Sequence, residues 1–320
     1  MAFNISSKYI PQESPMPASE KNAVANKKKL TILVIGASGM LGHMLVRVLS
    51  PHHRVIGTTS SKYDCESPLT RILTENNWID QIDVRNQSIV EEVIYKITPD
   101  VVINCVGLIK QKMKAENSVE VIQLNSLFPH QLAAICHKSD IRMIHFSTDC
   151  VFQGTPGIKY LSDTPNATDL YGLSKLLGEV NTWPCITLRT SIVGRQLLGS
   201  ESLFEWAISQ RDGSVNGYKN VIYTGLTTNR LSQVIKRLIE DFPELSGIHQ
   251  VASSPISKFE LISKLNNHLK LNLCIEPETE FHCDRTLDGT EFNELTNIDI
   301  PSWDEMLTEF SADQSFYDNV

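Results

Sequence analysis

Short runs of apolar residues alternate with longer stretches of helical periodicity from residue 30 onward. The apolar runs predict buried strands, because a strand covered on both faces carries apolar side chains at nearly every position. These strands are expected at 31–35, 54–58, 101–105, 143–146 and 185–188. The intervening periodicity predicts helices over 40–50, 87–97, 118–138 and 168–182. The alternation predicts a Rossmann-like α/β fold, a doubly wound parallel sheet with helices on both faces.

The same pattern divides the chain into three predicted parts. Residues 1–29 contain several prolines, a lysine cluster at 27–29 and no sustained periodicity, which is typical of a disordered tail. Residues 30–192 are predicted to form the Rossmann domain. Residues 193–320, with helix-like stretches at 201–210, 228–241 and 257–268, are predicted to form a smaller lobe. Some of its elements are expected to return to the Rossmann sheet.

Composition and charge argue against several classes of protein. The net charge of -8 at pH 7 disfavours a nucleic-acid-binding surface, which needs basic stripes. No apolar run approaches the ~18 residues of a membrane span, and the first residues lack the apolar core of a secretory signal. The seven cysteines are scattered without a C-x-x-C pair, as in proteins with reduced thiols. We therefore expect a cytoplasmic protein without membrane or nucleic-acid partners and without a metal site.

A glycine-rich turn follows the first predicted strand directly. Glycines at this spacing permit a tight turn and let backbone N–H groups approach a diphosphate at the start of a helix. The residues expected to bind a dinucleotide here are Gly36, Ser38, Gly39, Met40, Leu41 and Gly42.

The end of the second predicted strand indicates which dinucleotide is preferred. A site for NAD places an acidic residue about 20 residues after the first glycine, on the ribose hydroxyls. Here that stretch has no acid; it contains Thr59, Ser60, Ser61 and Lys62. Hydroxyl groups and a lysine suit a 2′-phosphate better, so we expect NADPH (NADP) as cofactor, with NADH as the alternative.

Tyr171 and Lys175 lie four residues apart in a predicted helix and therefore share one of its faces. A nearby cation lowers the pKa of a phenol from about 10, which suits proton transfer near neutral pH. Such a pair arises readily by chance, but Tyr171 is the only tyrosine of the eight with lysine at this spacing. The pair becomes informative through the segments that precede it.

Those segments follow one another in a known order. Asn104-Cys105-Val106-Gly107 ends a predicted strand, Asn125 lies in the next helix, and Thr148 ends the following strand. With the G-x-x-G-x-x-G loop, this order resembles the extended branch of the short-chain dehydrogenase/reductase superfamily. The resemblance implies that the cofactor cleft is lined by Asp83, Val84, Asn104, Cys105 and Val106, together with Tyr171 and Lys175.

The same resemblance implies a division of catalytic roles. Asn125 would organise the active-site helix and a water molecule. Thr148, rather than Ser147, would hydrogen-bond a substrate carbonyl oxygen, and Tyr171 would supply a proton to it. Lys175 would bind the nicotinamide ribose and lower the pKa of Tyr171.

A closer resemblance rests on the run S-T-D-C-V-F-Q-G-T at 147–155 and on Y-G-L-S-K-L-L-G-E at 171–179. These runs are similar to the dTDP-4-dehydrorhamnose reductase family. The resemblance implies NADPH-dependent reduction of the 4-keto group of a nucleotide-activated 6-deoxysugar, for synthesis of cell-surface polysaccharide sugars. It makes residues 193–320 mainly a substrate-binding lobe. The candidate substrate-binding residues are Thr148, Asp149, Cys150, Lys110, Arg195 and Arg285.

Several positions depart from the pattern of that family and leave the sugar and nucleotide open. Cys150 stands where the family has tyrosine, Ile192 where it has tryptophan, and residues 223–227 also differ. Two alternatives remain: a 4-epimerase of the same superfamily, and a non-catalytic NADP-binding subunit resembling the regulatory subunit of methionine adenosyltransferase. The oligomeric state stays open between a monomer and a homodimer.

Overall fold

The computed structural model describes residues 28–110, 113 and 117–318. The predicted tail falls mostly on residues 1–27, which lie outside this part. The strands are β1 (Thr31–Ile35), β2 (Arg54–Thr58), β3 (Trp78–Ile79), β4 (Val101–Asn104), β5 (Arg142–Thr148), β6 (Cys185–Thr190), β7 (Ile192–Val193), β8 (Ser214–Tyr218), β9 (Val221–Tyr223), β10 (Leu226–Thr227), β11 (Gly247–Gln250), β12 (Ile256–Ser257), β13 (Cys274–Glu278) and β14 (Cys283–Arg285).

The α-helices are α1 (Met40–Leu49), α2 (Gln87–Ile97), α3 (Ser118–Ile122), α4 (Phe128–Lys138), α5 (Leu170–Leu177), α6 (Leu203–Ser209), α7 (Thr228–Asp241), α8 (Lys258–Leu269), α9 (Thr290–Thr296) and α10 (Trp303–Ala312). A π-helical turn, Gln123–Leu127, joins α3 to α4. None of the described helices is long and apolar enough to cross a membrane.

A central sheet of seven strands, in the order β11-β6-β5-β4-β1-β2-β3, organises the described part of the chain. All neighbouring strands in it run parallel. From β1, the chain adds β2 and then β3 toward one edge of the sheet. It then returns to the other side of β1, where β4, β5, β6 and β11 extend the sheet toward the opposite edge. Ligands bind doubly wound sheets at such a reversal, beyond the carboxyl ends of the central strands. The predicted doubly wound α/β fold is confirmed.

Two apolar layers cover the sheet and explain why β1 reads as an uninterrupted apolar run. Ile32 and Val34 pack into the layer that also contains residues of α1, α7 and α10. Leu33 and Ile35 pack into the opposite layer with residues of α2 and α4. Since both faces are buried, all four positions from Ile32 to Ile35 contribute apolar surface, as the sequence predicts.

The second half of the chain builds small sheets and also extends the large one. β12, β9 and β14 form one small sheet, β13 pairs with β8, and β10 pairs with β7. β11 instead pairs with β6 and becomes an edge strand of the central sheet. The division into domains at residues 30 and 193 stays a prediction.

Helix α5, which carries the Tyr171 and Lys175 pair, is shorter than the predicted 168–182. Its N-terminal cap is Asp169, whose Oδ1 accepts the N–H of Gly172 at 3.0 Å. The helix ends at Gly178, where a β-carbon would lie 1.9 Å from the carbonyl oxygen of Asn125. Only glycine allows α5 to approach the π-helical turn this closely.

Candidate active site

The glycine loop between β1 and α1 has the backbone that its sequence predicts. Gly36 has φ +85, and a β-carbon on it would lie 3.0 Å from the side chain of Val106. A β-carbon on Gly42 would lie 2.2 Å from the carbonyl oxygen of Gly36. Among the described residues, no side chain caps α1 at Gly39. The first-turn N–H groups of α1 therefore fit a diphosphate.

A buried histidine fixes this turn from behind. Nδ1 of His43 contacts the carbonyl oxygen of Gly39 at 3.0 Å, and its Nε2 contacts the hydroxyl of Tyr317 at 2.8 Å. A carbonyl only accepts, so Nδ1 carries the proton and Nε2 accepts from Tyr317. Burial lowers the pKa of His43 to about 4, which keeps the ring neutral. Sequence reasoning did not identify either residue, because they lie far apart in the chain.

The segment after β2 offers three of the four polar side chains predicted there. Ser60, Ser61 and Lys62 are exposed. The hydroxyl of Thr59 is buried; it accepts from the Trp78 indole at 2.7 Å and donates to the carbonyl of Ser61 at 3.0 Å. The structure therefore does not leave Thr59 free for the cofactor, because the buried indole N–H requires an acceptor.

Asp83 and Val84 follow a segment that is tied to the end of β2, where Ile82 donates its N–H to the carbonyl of Thr59 at 2.9 Å. Val84 is buried, whereas Asp83 is paired with Arg85 at the surface, with Nη2 to Oδ2 at 2.8 Å. Hydrogen bonding by Arg85 holds the pKa of Asp83 below its usual value. Arg85 is a cationic residue in the segment next to the end of β2, and the sequence did not single it out as a candidate.

The last residue of β4 and the two residues after it form the wall of the cleft that faces the glycine loop. Asn104 is buried; its Oδ1 accepts the N–H of Val106 at 3.0 Å, and its Nδ2 contacts Nδ1 of His145 at 3.2 Å. Cys105 lies against Gly36, and burial raises the pKa of its thiol, which keeps it neutral. Asn104 thus shapes the wall with its side chain, and a cofactor would meet Cys105 and Val106.

Asn125 lies in the π-helical turn and ties two parts of the site together. Its Oδ1 accepts the N–H of Leu108 at 2.8 Å, and its Nδ2 donates to the carbonyl of Leu108 at 3.0 Å. The same amide nitrogen donates to the Ser174 hydroxyl on α5 at 3.1 Å. Asn125 therefore fixes α5 against the loop after β4. A π-turn inserts an extra residue and is frequent at functional sites.

Tyr171 and Lys175 lie one turn apart on α5, with Lys175 fully enclosed. Nζ of Lys175 donates to the carbonyl oxygen of Phe146 at 2.6 Å, and burial lowers its pKa to about 8 while Glu179 opposes that shift. Burial raises the pKa of Tyr171, and the neighbouring Cys150 adds to the rise. The expectation of a lowered Tyr171 pKa is therefore wrong in this structure, because desolvation dominates and the ammonium group is directed to Phe146.

Thr148 and Ser147 at the end of β5 point to opposite sides of the strand. The Thr148 hydroxyl accepts the N–H of Cys150 at 3.2 Å and donates to Oδ1 of Asp149 at 3.2 Å. It lies close enough to Tyr171 to act to lower the pKa of that phenol. The Ser147 hydroxyl instead donates to Oε1 of Glu179 at 2.6 Å. The structure thus brings Thr148, the predicted hydroxyl residue, together with Tyr171.

Glu179 belongs to a buried ion pair that sequence reasoning did not assign. Its carboxylate accepts from Nε and Nη2 of Arg189, both at 2.8 Å, and the two side chains are only 4% and 6% exposed. The pair joins the segment after α5 to β6, and the Ser147 bond joins it to β5. The only signal in the sequence was the Gly178-Glu179 end of the Tyr171 motif.

Three of the predicted substrate-binding residues meet beside Tyr171. Asp149 is buried, and burial raises its pKa while the guanidinium of Arg285 opposes the rise. Cys150 is also close to Asp149 and Arg285, and burial raises the pKa of its thiol to about 12. Arg285, from β14, therefore reaches the Thr148–Tyr171 group from the second half of the chain.

The two other predicted cations differ in position. Nζ of Lys110 pairs with Oδ2 of Asp169 at 3.1 Å, at the exposed start of α5. Arg195 pairs with Glu205 at 2.7 Å, and its guanidinium lies 4.9 Å from the centre of the Tyr317 ring. The structure does not place Arg195 with Tyr171, because its charge is already satisfied elsewhere.

Known proteins are similar in sequence to this chain to different extents. Residues 30–202 match the family model described as the RmlD substrate binding domain. The probable low-salt glycan biosynthesis reductase Agl14 of Haloferax volcanii is 34% identical over 151 residues, 46% of each chain. Bovine methionine adenosyltransferase 2 subunit beta is 25% identical over 172 residues, 53% of this chain and 47% of its own. This chain spans about half the length of the curated relatives it matches.

A solved structure extends the likeness across the fold. Bacillus anthracis dTDP-4-dehydrorhamnose reductase, crystallised in complex with NADP, superposes with a TM-score of 0.73 at 21% identity, covering 89% of this chain and 100% of its own. This similarity shows a common fold. The family match covers more than half of the sequence and confirms the predicted resemblance. The chain belongs to the RmlD substrate binding domain family.

Proposed function

We propose that the protein is an NADPH-dependent reductase that acts on the 4-keto group of a nucleotide-activated 6-deoxysugar. The observation that carries the proposal is the group of buried Thr148, half-buried Tyr171 and buried Lys175 at the same end of the sheet as the glycine loop. The names of two proteins similar to this chain, a glycan biosynthesis reductase and a dTDP-4-dehydrorhamnose reductase crystallised with NADP, support it.

The residues of the glycine loop fit a dinucleotide. A β-carbon on Gly36 or Gly42 would fill the turn, and the start of α1 is left without a side-chain cap among the described residues. Exposed Ser60, Ser61 and Lys62 would hold the 2′-phosphate of NADPH, and Cys105 and Val106 would line the opposite wall. When bound, NADPH supplies the hydride.

The side chains around Tyr171 would manage the charge that develops on the substrate oxygen. Thr148 would donate a hydrogen bond to that oxygen, and Tyr171 would give it a proton. Burial raises the pKa of Tyr171, so the phenol holds its proton until a developing alkoxide takes it. Lys175, charged below about pH 8, would donate hydrogen bonds to the nicotinamide ribose.

The substrate would approach from the side of Asp149, Cys150 and Arg285. Asp149 can accept hydrogen bonds from sugar hydroxyls, and Arg285 can bind a phosphate or sugar oxygen. Lys110, at the exposed start of α5, would contact the outer part of the nucleotide. A role in making sugars for cell-surface polysaccharides, in the cytoplasm, follows from this substrate class. The seven cysteines, none in a disulfide within the described chain, agree with a reducing compartment.

A substrate panel tests the proposal. The purified protein is mixed with dTDP- and UDP-linked 4-keto-6-deoxysugars, each with NADPH and with NADH, and the products are resolved by NMR. We expect stoichiometric oxidation of NADPH, faster than of NADH, and a 4-hydroxy product. Catalytic recycling of a retained NAD with inversion at C4 would instead identify a 4-epimerase.

A second candidate is a non-catalytic NADP-binding subunit. The similarity to methionine adenosyltransferase 2 subunit beta favours it. It predicts that NADPH binds without turnover of any keto-sugar, and that a synthetase co-purifies in a stable complex. The Thr148–Tyr171–Lys175 group favours the reductase, because a subunit that only binds does not need a proton donor.

We also propose that two copies of the chain associate through helices α3 and α5 and the π-helical turn after α3. These elements expose apolar side chains on neighbouring surfaces, namely Val119, Ile122, Leu127, Leu173 and Leu177. Light scattering should give a dimer for the wild type and a monomer for Leu177→Glu. Leu295→Glu, at an exposed leucine of α9, should remain dimeric. A monomeric wild type would overturn this proposal.

A further inference from the structure

We infer that Tyr223 contacts the substrate and that its phenol binds a hydroxyl group of the sugar. This inference rests on the proposed function for the class of ligand. Residues 223–227 were noted above only as a departure from the family pattern. The structure brings Tyr223, through β9, to the group that contains Asp149 and Arg285.

The register of the small sheet gives Tyr223 its direction. β9 and β14 run parallel, with Tyr223 and Arg285 as direct partners. Partners in neighbouring strands send their side chains to the same face of the sheet. The guanidinium of Arg285 lies close enough to Asp149 and Cys150 to alter their titration. Burial raises the pKa of Tyr223 and the charge of Asp149 adds to the rise, which agrees with a position of the phenol on this side of the small sheet.

The Tyr223 ring is held rigidly. It lies 5.6 Å from the ring of Trp303, whose indole N–H donates to the carbonyl of Ser254 at 2.9 Å. On another side, a β-carbon on Gly225 would lie 2.4 Å from Cε2 of Tyr223. The glycine therefore leaves the space that the ring occupies. A ring fixed in this way presents its hydroxyl in one direction.

That hydroxyl is buried and unpaired. Oη of Tyr223 and Nε of Arg285 have no hydrogen-bond partner within residues 28–110, 113 and 117–318. Buried polar groups in folded proteins are nearly always hydrogen-bonded, because an unpaired one has lost its water without replacement. Both groups are donors on register partners of the same small sheet, so a ligand that carries acceptor oxygens would satisfy them.

The neighbouring carboxyl group selects among those ligands. Asp149 next to Tyr223 disfavours a phosphate oxygen at this point, because two negative charges would lie together. A sugar hydroxyl can accept from the phenol and donate to the carboxylate at once. The site therefore fits a hydroxyl of the pyranose ring, next to the carbonyl that Thr148 and Tyr171 would receive.

A binding experiment tests the inference without requiring turnover. Dissociation constants of the NADPH-loaded protein are measured for dTDP-glucose and UDP-glucose, and for dTDP and UDP as sugar-free probes. Tyr223→Phe keeps the ring and removes only the hydroxyl. We expect this substitution to raise the dissociation constant of the more tightly bound sugar nucleotide about tenfold and to leave the dissociation constants of the sugar-free probes unchanged.

Two controls distinguish a direct contact between Tyr223 and the ligand from a structural role of Tyr223. Tyr218→Phe, at a more exposed tyrosine of the same lobe, should change neither affinity. The melting temperature of Tyr223→Phe should equal or exceed that of the wild type, because its hydroxyl has no protein partner in the described chain. Equal affinity of wild type and Tyr223→Phe for both sugar nucleotides would overturn the inference.

The inference would also fail if the wild type bound neither sugar nucleotide more tightly than its sugar-free probe. The proposed reductase activity is judged separately, by oxidation of NADPH with keto-sugars. A protein that binds glucose nucleotides through Tyr223 but reduces no keto-sugar would keep this inference and lose the reductase proposal.

Discussion

Nζ of Lys175 donates a 2.6 Å hydrogen bond to the main-chain carbonyl of Phe146, on the strand that ends with Thr148. The ammonium group is thereby held next to the strand that carries the predicted hydroxyl residue. Burial lowers its pKa to about 8 from 10.5. The ammonium group therefore gains or loses its proton within the pH range in which enzymes work.

Turnover should fall as the pH rises through about 8. Lys175 is charged below this pKa and neutral above it, so the charge-assisted hydrogen bonds that it would donate to the nicotinamide ribose are lost. The rate of NADPH oxidation at saturating substrate, measured from pH 6 to 10, should show this fall. A flat profile up to pH 10 would contradict the role of Lys175.

The same shift affects the stability of the protein in the opposite direction. Between about pH 8 and 10.5 the folded state binds fewer protons at Lys175 than the unfolded state, so this group favours folding increasingly as the pH rises. The free energy of unfolding of the wild type, relative to Lys175→Met, should increase across this range. An unchanged difference would show that Lys175 titrates normally.

Replacement of Tyr171 by phenylalanine should separate chemistry from cofactor binding. Loss of the proton donor is expected to lower kcat by about 10²–10⁴-fold, while the dissociation constant for NADPH changes little. Stopped-flow turnover and fluorescence titration measure the two quantities. The exposed Tyr160 offers a control, since Tyr160→Phe should leave both unchanged. Near wild-type turnover by Tyr171→Phe would disprove the proposed mechanism.

Gly42 and Gly39 provide a matched pair in the glycine loop. Alanine at Gly42 would place its β-carbon 2.2 Å from the carbonyl oxygen of Gly36, whereas at Gly39 the nearest atom is 3.4 Å away. Gly42→Ala should therefore lower the free energy of unfolding by about 1–3 kcal/mol and weaken NADPH binding. Gly39→Ala should stay within about 0.5 kcal/mol of the wild type in urea unfolding. Equal stability of the two variants would show that the loop adapts.

The buried Glu179–Arg189 pair should matter far more to stability than an exposed one. Glu179→Ala leaves the Arg189 charge buried, so a loss of about 3–5 kcal/mol is expected. Lys264→Ala breaks an exposed pair with Asp304 and should cost less than about 1 kcal/mol. Chemical denaturation of both variants makes the comparison. Similar losses would mean that burial does not strengthen the Glu179 pair.

Parts of the fold were predictable because local sequence determines them. The bounds of β1 and β2 follow from apolar runs that both layers of the sheet require, and those of α7 from its periodicity. β3, β7, β10 and β12 are only two residues long, which is too short to produce a pattern. β8 and β13 have five residues, but they carry mostly polar side chains and contain Gly217 and Pro277. Their pairing depends on contacts that are distant in sequence.

The residues of the candidate site were predictable where a sequence motif contains them. Their burial, pKa values and contacts were not predictable, because these depend on three-dimensional packing. Helical spacing places Tyr171 and Lys175 on one face, but it does not reveal the burial that raises the pKa of one and lowers that of the other. Arg285 was predicted, yet its neighbour Tyr223 required the register of β9 and β14. From the sequence, Arg195 was a candidate to bind a phosphate. In the structure, its guanidinium pairs with Glu205 instead.

The contact between His43 and Tyr317 also bears on the order in which the protein is made. These residues are separated by 274 positions, so the ribosome completes β1, the glycine loop and α1 long before Tyr317 emerges. Until then, His43 lacks the hydroxyl that holds its ring against the Gly39 carbonyl. A nascent chain would therefore make this contact to α1 only after 274 further residues have been synthesised.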